Sequence, residues 1–410
     1  MINFYRLISI LIYPFLFFYL KLRVRKNKEH PFRFKEKLGV TDLKKKENLI
    51  WFHVASLGEI KSIYEIVKYY QSFQNLNILI TSVTTSSSQF FNDHLKSNNT
   101  IHQFAPLDSP IIIKKFLDHW KPKISIFIDS ELWPNMIFQT SKFSKMILLN
   151  CRISKNSFKK WKIFKLSFFK ILNKFDAISA QSNETKKYLE FFGLKKINNL
   201  GNLKYTFNIK KNLKLFDIEK NKFNWAGMSI HFNEIDAILN VHKKISNIES
   251  DITTFLIPRH LNKLKEIKKK IKEQNIPFIE TSKNNKIIKF NGIVLVDQFG
   301  VADEIFDKVK LVFMGGSFID HGGQNPIEPA KYGSRIFYGP NIHNFTEIYE
   351  QFDKKNISNM VKNEHELYKE LEKYINNDSQ ITMEESFDKF GKEILALNIG
   401  FLDQFINQYK

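Results

Sequence analysis

Two carboxylates head the list of residues that can do chemistry in this chain. Glu59 closes the stretch Trp51 to Glu59, WFHVASLGE, and Glu131 opens ELWPN. Leu49 to Val54 is an apolar, β-prone run. Ser56 and Gly58 then make a small-residue turn before the amphipathic segment Ile60 to Tyr70, so the pattern predicts strand, tight turn, helix. In open α/β sheets such a turn lies at the carboxyl end of a strand, where ligands bind. Glu59, in the first turn of that helix, is expected to be held as the anion by the helix dipole and the unpaired N–H groups, and Gly58 lets another molecule approach it closely. A carboxylate so placed can serve as a general base, although an ordinary acid favouring a helix N-terminus has the same sequence. Asp129 and Glu131 follow another strand candidate. Two acids without a further nearby ligand are a weak metal signal, so Glu131 is expected at a second strand end, facing the same cleft as Glu59.

The second half carries residues suited to phosphate. A buried-type strand, Leu311 to Phe313, runs into MGGSF (Met314 to Phe318), and HGGQNPIEPA (His321 to Ala330) ends in a helix start with Pro326 suited to its first turn. Glycine turns expose backbone N–H groups and a helix N-terminus adds partial positive charge, which suits an anionic phosphate; structural turns produce the same double glycines. Glu328, one turn in, can accept hydrogen bonds from ribose hydroxyls. Pro258 to His260, PRH, directly follows another strand, and Arg259 there can pair bidentately with a phosphate.

These residues need strands to hold them. Candidates in the first half are Leu49 to Val54, Leu76 to Val83, Ile101 to Phe104, Ile124 to Ile128, Met146 to Asn150 and Ala177 to Ala180, alternating with helical patterns as a mostly parallel sheet requires. A second series runs from Phe223 to Met228 through Ile252 to Ile257, Pro277 to Glu280, Gly292 to Val296 and Leu311 to Phe313 to Arg335 to Tyr338. Asn208 to Lys222, polar and lysine-rich, is expected to be an interdomain linker. Two α/β halves so joined enclose a cleft suited to small ligands.

The chain has 410 residues, 43% hydrophobic and 26% charged, a globular composition for which roughly 150 residues per domain suggests two domains. Its formal net charge of +21 fits an anionic substrate or membrane surface; the basic residues are scattered, with no nucleic-acid-binding signature, so nucleic acid is not an expected partner. The single cysteine, Cys151, excludes a disulfide framework and a Cys-based zinc site. Ile2 to Leu20 is apolar and aromatic apart from Asn3, Arg6 and Ser9, and five basic residues follow between Lys21 and Lys28. Leu7 to Leu20 falls short of the roughly 20 residues needed to span hydrocarbon, so a short anchor or an interfacial helix is expected. The basic flank lies on the wrong side for a cleavable signal peptide and places the body of the protein in the cytoplasm.

With these pieces in order, the chain resembles the 3-deoxy-D-manno-octulosonic acid (Kdo) transferases of lipopolysaccharide synthesis. The resemblance runs from RFKEKLG (Arg33 to Gly39) through HVASLGE (His53 to Glu59), APLDSP (Ala105 to Pro110), ELWPN, NCRISKNSF (Asn150 to Phe158), AQSNE (Ala180 to Glu184), GNLKY (Gly201 to Tyr205), SIHFNE (Ser229 to Glu234), PRH, MGGSF and GGQNPIEPA to GPNIHNF (Gly339 to Phe345). It implies an α/β, GT-B glycosyltransferase with two Rossmann-like domains facing a cleft. A membrane anchor and basic flank would cover residues 1–28, an acceptor domain 29–207, a CMP-sugar-binding domain 208–385, and a C-terminal helix, packing back on the first domain, 386–410. The implied reaction is inverting transfer of Kdo from CMP-Kdo to a lipid A precursor on the cytoplasmic face of the inner membrane, without cofactor or essential metal.

By the same resemblance Glu59 is the general base and Glu131 a second essential acid. Arg259, His260, Gly316, Ser317, Asn325 and Glu328 fall in the donor-binding motifs, and Ser56, Gly58, Lys204 and Ser229 line the cleft. The chain departs from the family pattern at Asp129, Ile230, Leu261, Val301 and Gln324, where glutamate, threonine, proline, glutamate and histidine are usual. Gln324 keeps hydrogen-bonding capacity but cannot titrate. Two rival readings remain. Against another GT-B enzyme of cell-envelope sugar metabolism, such as a lipid A disaccharide synthase or a nucleotide-sugar epimerase, stand HVASLGE and ELWPN. Against an inactive membrane-attached GT-B binding protein stands the presence of both Glu59 and Glu131. The number of Kdo residues added and the oligomeric state are not written in these motifs.

Overall fold

A computed structural model describes residues 2–207, 217–218, 223–283, 286–287, 290–375 and 383–410. The chain divides into two compact units, Met1–Phe207 with Gly391–Lys410, and Asn208–Phe390.

Unit 1 is built on strands β1 (Leu49–His53), β2 (Asn77–Ser82), β3 (Thr100–Phe104), β4 (Ile124–Ile128), β5 (Lys145–Cys151), β6 (Ala177–Ala180) and β7 (Asn198–Asn199). They pair in parallel in the order β3-β2-β1-β4-β5-β6-β7. Every residue of β1 and β4 is buried, which is why both read as continuous apolar runs: a parallel sheet is covered by helices on both faces. Trp51, Phe116, Trp120 and Phe127 pack together against the sheet, each such side chain contributing about 2 to 3 kcal/mol by leaving water. The chain order reverses between β1 and β4, so their carboxyl ends flank the crevice where this architecture binds ligands.

Unit 2 repeats the plan. Strands β8 (Asp217–Ile218) and β12 (Lys286–Ile287) form a separate parallel pair. The main sheet takes β9 (Phe223–Ile230), β10 (Ile252–Pro258), β11 (Phe278–Glu280), β13 (Gly292–Leu295), β14 (Leu311–Met314), β15 (Arg335–Tyr338) and β16 (Ser358–Met360). Its order is β11-β13-β10-β9-β14-β15-β16, again all parallel, and reverses between β9 and β14.

The twelve apolar strand candidates all form strands with slightly different ends. The strands not anticipated, β7, β16 and the β8–β12 pair, are two or three residues long. The sheet-edge members β7 and β16 include asparagines, which are depleted in strands. Of the expected linker Asn208 to Lys222, residues 208–216 and 219–222 lie outside the described residues, as do 376–382 of the expected second domain.

The N-terminal helix, Ile2–Arg25, runs 24 residues straight through Pro14, longer than the apolar run from Leu7 to Leu20 alone implied. One face docks on unit 1: Tyr5 Oη donates to Asp108 at 2.9 Å, Asn135 Nδ2 to Ser9 Oγ at 3.0 Å and Lys115 Nζ to Tyr13 Oη at 3.2 Å, and Leu20 is buried. The opposite face exposes Phe4, Leu7, Leu11, Phe15, Phe18 and Leu22. At the other terminus, helix Met383–Ile406 brings Asn398 to the Leu200 carbonyl at 3.2 Å and Asp403 to Tyr70 Oη at 2.7 Å, tying residues 391–410 into unit 1.

Candidate active site

Ser56 is the cap of helix Leu57–Ser62, its Oγ accepting the Glu59 N–H at 3.3 Å, because a hydroxyl at this position satisfies an amide the helix cannot. Glu59 folds back over the turn. Its Oε2 accepts the Ala55 N–H at 2.7 Å and its Oε1 the Ser56 hydroxyl at 2.9 Å. Those donors do not decide its charge as the helix dipole had suggested. Burial outweighs them and, with smaller contributions from Glu131 and Asp129, pushes the Glu59 carboxyl up to about 7. Gly58 sits beside this turn with space around it: among the described residues an added Cβ would meet only Ser56 Oγ, at 3.8 Å.

Glu131 lies after β4. Its Oε2 accepts from Trp133 Nε1 at 2.7 Å and stands 3.7 Å from Nε2 of His53, the last residue of β1. Burial raises the Glu131 carboxyl, against the Trp133 hydrogen bond, and Asp129 adds to the rise. Asp129 turns the chain at the end of β4 with φ 59°, a left-handed conformation that aspartate tolerates better than most residues. Lys204 reaches the group from the turn Leu203–Tyr205, its Nζ 3.8 Å from Asp129 Oδ2. Burial still lifts the Asp129 carboxyl, with Lys204 and Arg152 opposing. Ser56, Gly58, Glu59, Glu131 and Lys204 thus gather at the carboxyl ends of β1 and β4. Among the described residues no three His, Cys, Asp or Glu side chains form a metal-holding group.

In unit 2 a pocket of about 280 Å³ opens at the carboxyl ends of β9, β10 and β13, lined by Ser229, Arg259, Phe299 and Glu328 among others. The remaining donor candidates lie beside it. His260 packs edge-on against His231, ring centroids 5.6 Å apart, and Asn325 Oδ1 accepts the Ile327 N–H at 3.2 Å, just ahead of the short helix Ile327–Lys331.

Gly316 and Ser317 depart from expectation. Their amides, with that of Phe318, donate to the carboxylate of Glu234 at 2.7, 3.2 and 3.0 Å, and the His231 N–H adds a fourth bond at 3.1 Å. The turn does bind an anion, but the anion is internal, and Ser317 is fully buried. The glycines serve packing: a Cβ on Gly315 would lie 2.4 Å from the Ser229 carbonyl oxygen, and Gly316 has φ 69°.

The family model for 3-deoxy-D-manno-octulosonic-acid transferase matches residues 32–207, which hold the acidic group. A 3-deoxy-D-manno-octulosonic acid transferase from Rickettsia bellii (strain RML369-C) is 30% identical over 99% of this chain and 98% of its own length. The chain belongs to the Kdo transferase family. A second Kdo transferase, from Aquifex aeolicus (strain VF5), is 30% identical over 89% of this chain and 95% of its own. A glycosyltransferase of known structure from Rickettsia africae ESF-5 superposes with TM-score 0.54 over 89% of this chain and 99% of its own, at 12% identity, a likeness of fold. The architecture is GT-B, two parallel seven-stranded α/β units.

Within this Kdo transferase the motif residues passed over in sequence are those that hold others. His53 of HVASLGE, Asp108 of APLDSP and Glu234 of SIHFNE are acids or bases with partners far along the chain, His53 and Glu234 buried and Asp108 half-buried, and pairing distance is invisible in a one-dimensional pattern. Asp108 accepts from the amides of Asn135 and Met136 at 3.1 and 2.7 Å, and so fixes the ELWPN loop that carries Glu131. Gln324, where histidine is usual, places its Nε2 3.3 Å from His231 Nε2.

Proposed function

We propose that the protein transfers Kdo from CMP-Kdo to a sugar hydroxyl of a lipid A precursor, with inversion and without a metal. The observation that carries this reading is the pairing of Glu59 and Glu131 at the β1/β4 crevice, with Glu59 pushed up to about 7. A base of that strength is matched to neutral pH. The acceptor hydroxyl attacks the anomeric carbon of Kdo as Glu59 takes its proton, and the new C–O bond forms on the face opposite the leaving group. The bond from that carbon to the phosphate oxygen of CMP breaks, and its electron pair leaves with CMP. Arg259 answers the charge on the phosphate, and Glu131, held by Trp133, faces the positive charge that develops on the sugar. Ser229 and Glu328 line the same pocket as Arg259, which suits them to the ribose and phosphate of the nucleotide.

The N-terminal helix lies along the cytoplasmic face of the inner membrane in this reading. Its docked face makes polar contacts with Asp108, Lys115 and Asn135, which would have to enter hydrocarbon if the helix crossed the bilayer; its outer apolar stripe can enter the headgroup boundary instead. Mass spectrometry of a lipid A precursor incubated with CMP-Kdo and the protein tests the proposal: addition of Kdo, unaffected by a chelator, is expected, and an unmodified acceptor would refute it.

A further inference from the structure

We infer that His53 is a positioning residue for Glu131, locked by Thr81 in the tautomer that carries its proton on Nε2 and presents that N–H to the carboxylate. The inference rests on the reading of Glu131 as a member of the reacting pair. His53 and Thr81 are register partners on β1 and β2, and both are buried. His53 Nδ1 lies 2.9 Å from Thr81 Oγ1, and the same oxygen accepts Trp51 Nε1–H at 2.8 Å. The indole N–H is a donor only, so among these partners the Thr81 proton has one acceptor, His53 Nδ1. A neutral imidazole that accepts at Nδ1 carries its proton on Nε2. That atom is buried, has no hydrogen-bond partner among the described residues, and lies 3.7 Å from Glu131 Oε2. A histidine present only for packing would be expected to pair both nitrogens, as buried polar groups do. Burial pushes the imidazole down to about 3, so the contact is dipolar at physiological pH and not an ion pair. At 3.7 Å it is longer than a hydrogen bond, in keeping with catalytic contacts that tighten when substrate is bound.

The charged groups around Glu131 come from several elements. Asp129 belongs to its own loop and Glu59 to helix Leu57–Ser62, and Lys204 and Arg152 act on Asp129. Against that mainly acidic surrounding, a neutral N–H donor favours the ionised carboxylate. Its loss should raise the proton affinity of the Glu59–Glu131 pair and move the acid limb of the activity profile to higher pH.

Two measurements test this. In ¹⁵N-histidine-labelled wild type, with the His53 signals assigned from their absence in His53→Gln, Nε2 should be protonated, Nδ1 unprotonated, and neither should titrate between pH 5 and 9. Thr81→Val should abolish that tautomer preference and Thr81→Ser keep it. In kinetics, His53→Leu should move the acid limb of kcat/KM up by about half a unit or more and lower kcat by about tenfold. His53→Gln, which retains a side-chain N–H, should restore most of both. A proton on Nδ1, an imidazole titrating near its ordinary value, or a His53→Leu enzyme with an unmoved limb would overturn the inference. Absence of Kdo transfer by wild type would instead defeat the functional reading, and the spectrum would still decide the tautomer. Should His53→Leu fail to fold, the wild-type and Thr81 spectra decide alone.

Discussion

Each unit places a glutamate at the helix start that follows the first strand of its seven-stranded sheet, Glu59 after β1 and Glu234 after β9. Glu234 is buried with both oxygens engaged by backbone amides, the capping residue His231 giving one and the Gly316–Phe318 turn three. Glu59 has one amide and one hydroxyl, and burial lifts it to about 7. Position at a helix start is the same in both. The supply of donors differs: Glu234 ties the Gly316–Phe318 turn to its helix start with four amides, whereas the fewer donors at Glu59 do not offset its burial.

Crossed substitutions are the strongest way to break that comparison. Glu59→Gln keeps the size and some of the hydrogen bonding but cannot take a proton, so single-turnover transfer should fall by about 10²-fold or more while CMP affinity stays near wild type. Its stability should move the other way. A carboxyl whose folded pKa is raised from 4.5 to about 7 contributes stability that is fully present below pH 4.5 and lost as pH rises through 7. Glutamine does not suffer that loss, so above pH 7 the variant should be more stable than wild type by about 1 to 2 kcal/mol in denaturant titration. Near-normal transfer by Glu59→Gln would remove it as the base. Glu234→Ala should do the reverse, destabilising unit 2 by about 2 to 4 kcal/mol because buried amides lose their acceptor. Unfolding should occur at lower denaturant, CMP binding should weaken with it, and Glu234→Gln should recover part of both. If Glu234→Ala unfolds like wild type, the donor argument fails.

The same contrast predicts how transfer depends on pH. Since Glu59 must be ionised to act, kcat/KM should rise with pH through a midpoint near 7, the value to which burial carries it. A midpoint near the ordinary carboxylate value would show that the amide of Ala55 and the hydroxyl of Ser56 outweigh burial after all.

Much of this was legible in the chain before folding was considered. Buried parallel strands announce themselves as apolar runs, and the turn Ala55 to Glu59 is local, so β1, its cap and its acid could be read together. The convergence of Glu59 with Glu131 followed from strand ends sharing one edge of the sheet. What could not be read was competition between distant groups. MGGSF looks like a phosphate turn because its amides are there; that Glu234, some eighty residues earlier, already occupies them is a tertiary fact. Likewise the helix start at Leu57 suggested a stabilised anion, and only the burial of the site reverses the sign.

A third acid at a helix start, Glu328, extends the comparison to an exposed case. It lines the pocket with Arg259 and Ser229 and is open to solvent. As a ligand contact made equally in ground and transition states, it should be felt in affinity. Glu328→Ala is expected to raise the CMP-Kdo dissociation constant by about tenfold with little change in turnover at saturation. A large fall in turnover at unchanged affinity would move Glu328 from binding to chemistry.

The smallest effect is expected from Tyr5→Phe, which touches one of the three donors to Asp108: Asn135 and Met136 N–H, and Tyr5 Oη at 2.9 Å from the N-terminal helix. Burial raises this carboxyl too, although the three donors oppose it. Tyr5→Phe removes one donor without creating a cavity and leaves the two amides that hold the ELWPN loop. It should cost about 1 kcal/mol, a fall of about 2 °C in the melting temperature of a unit this size, with transfer to detergent-dispersed acceptor unchanged. Asp108→Asn removes the charge from all three contacts and should cost more, and because the loop carries Glu131, it should lower turnover as well. If Tyr5→Phe lowers turnover as much as Asp108→Asn, the N-terminal helix controls the placement of Glu131, and the two amides do not suffice to fix the loop.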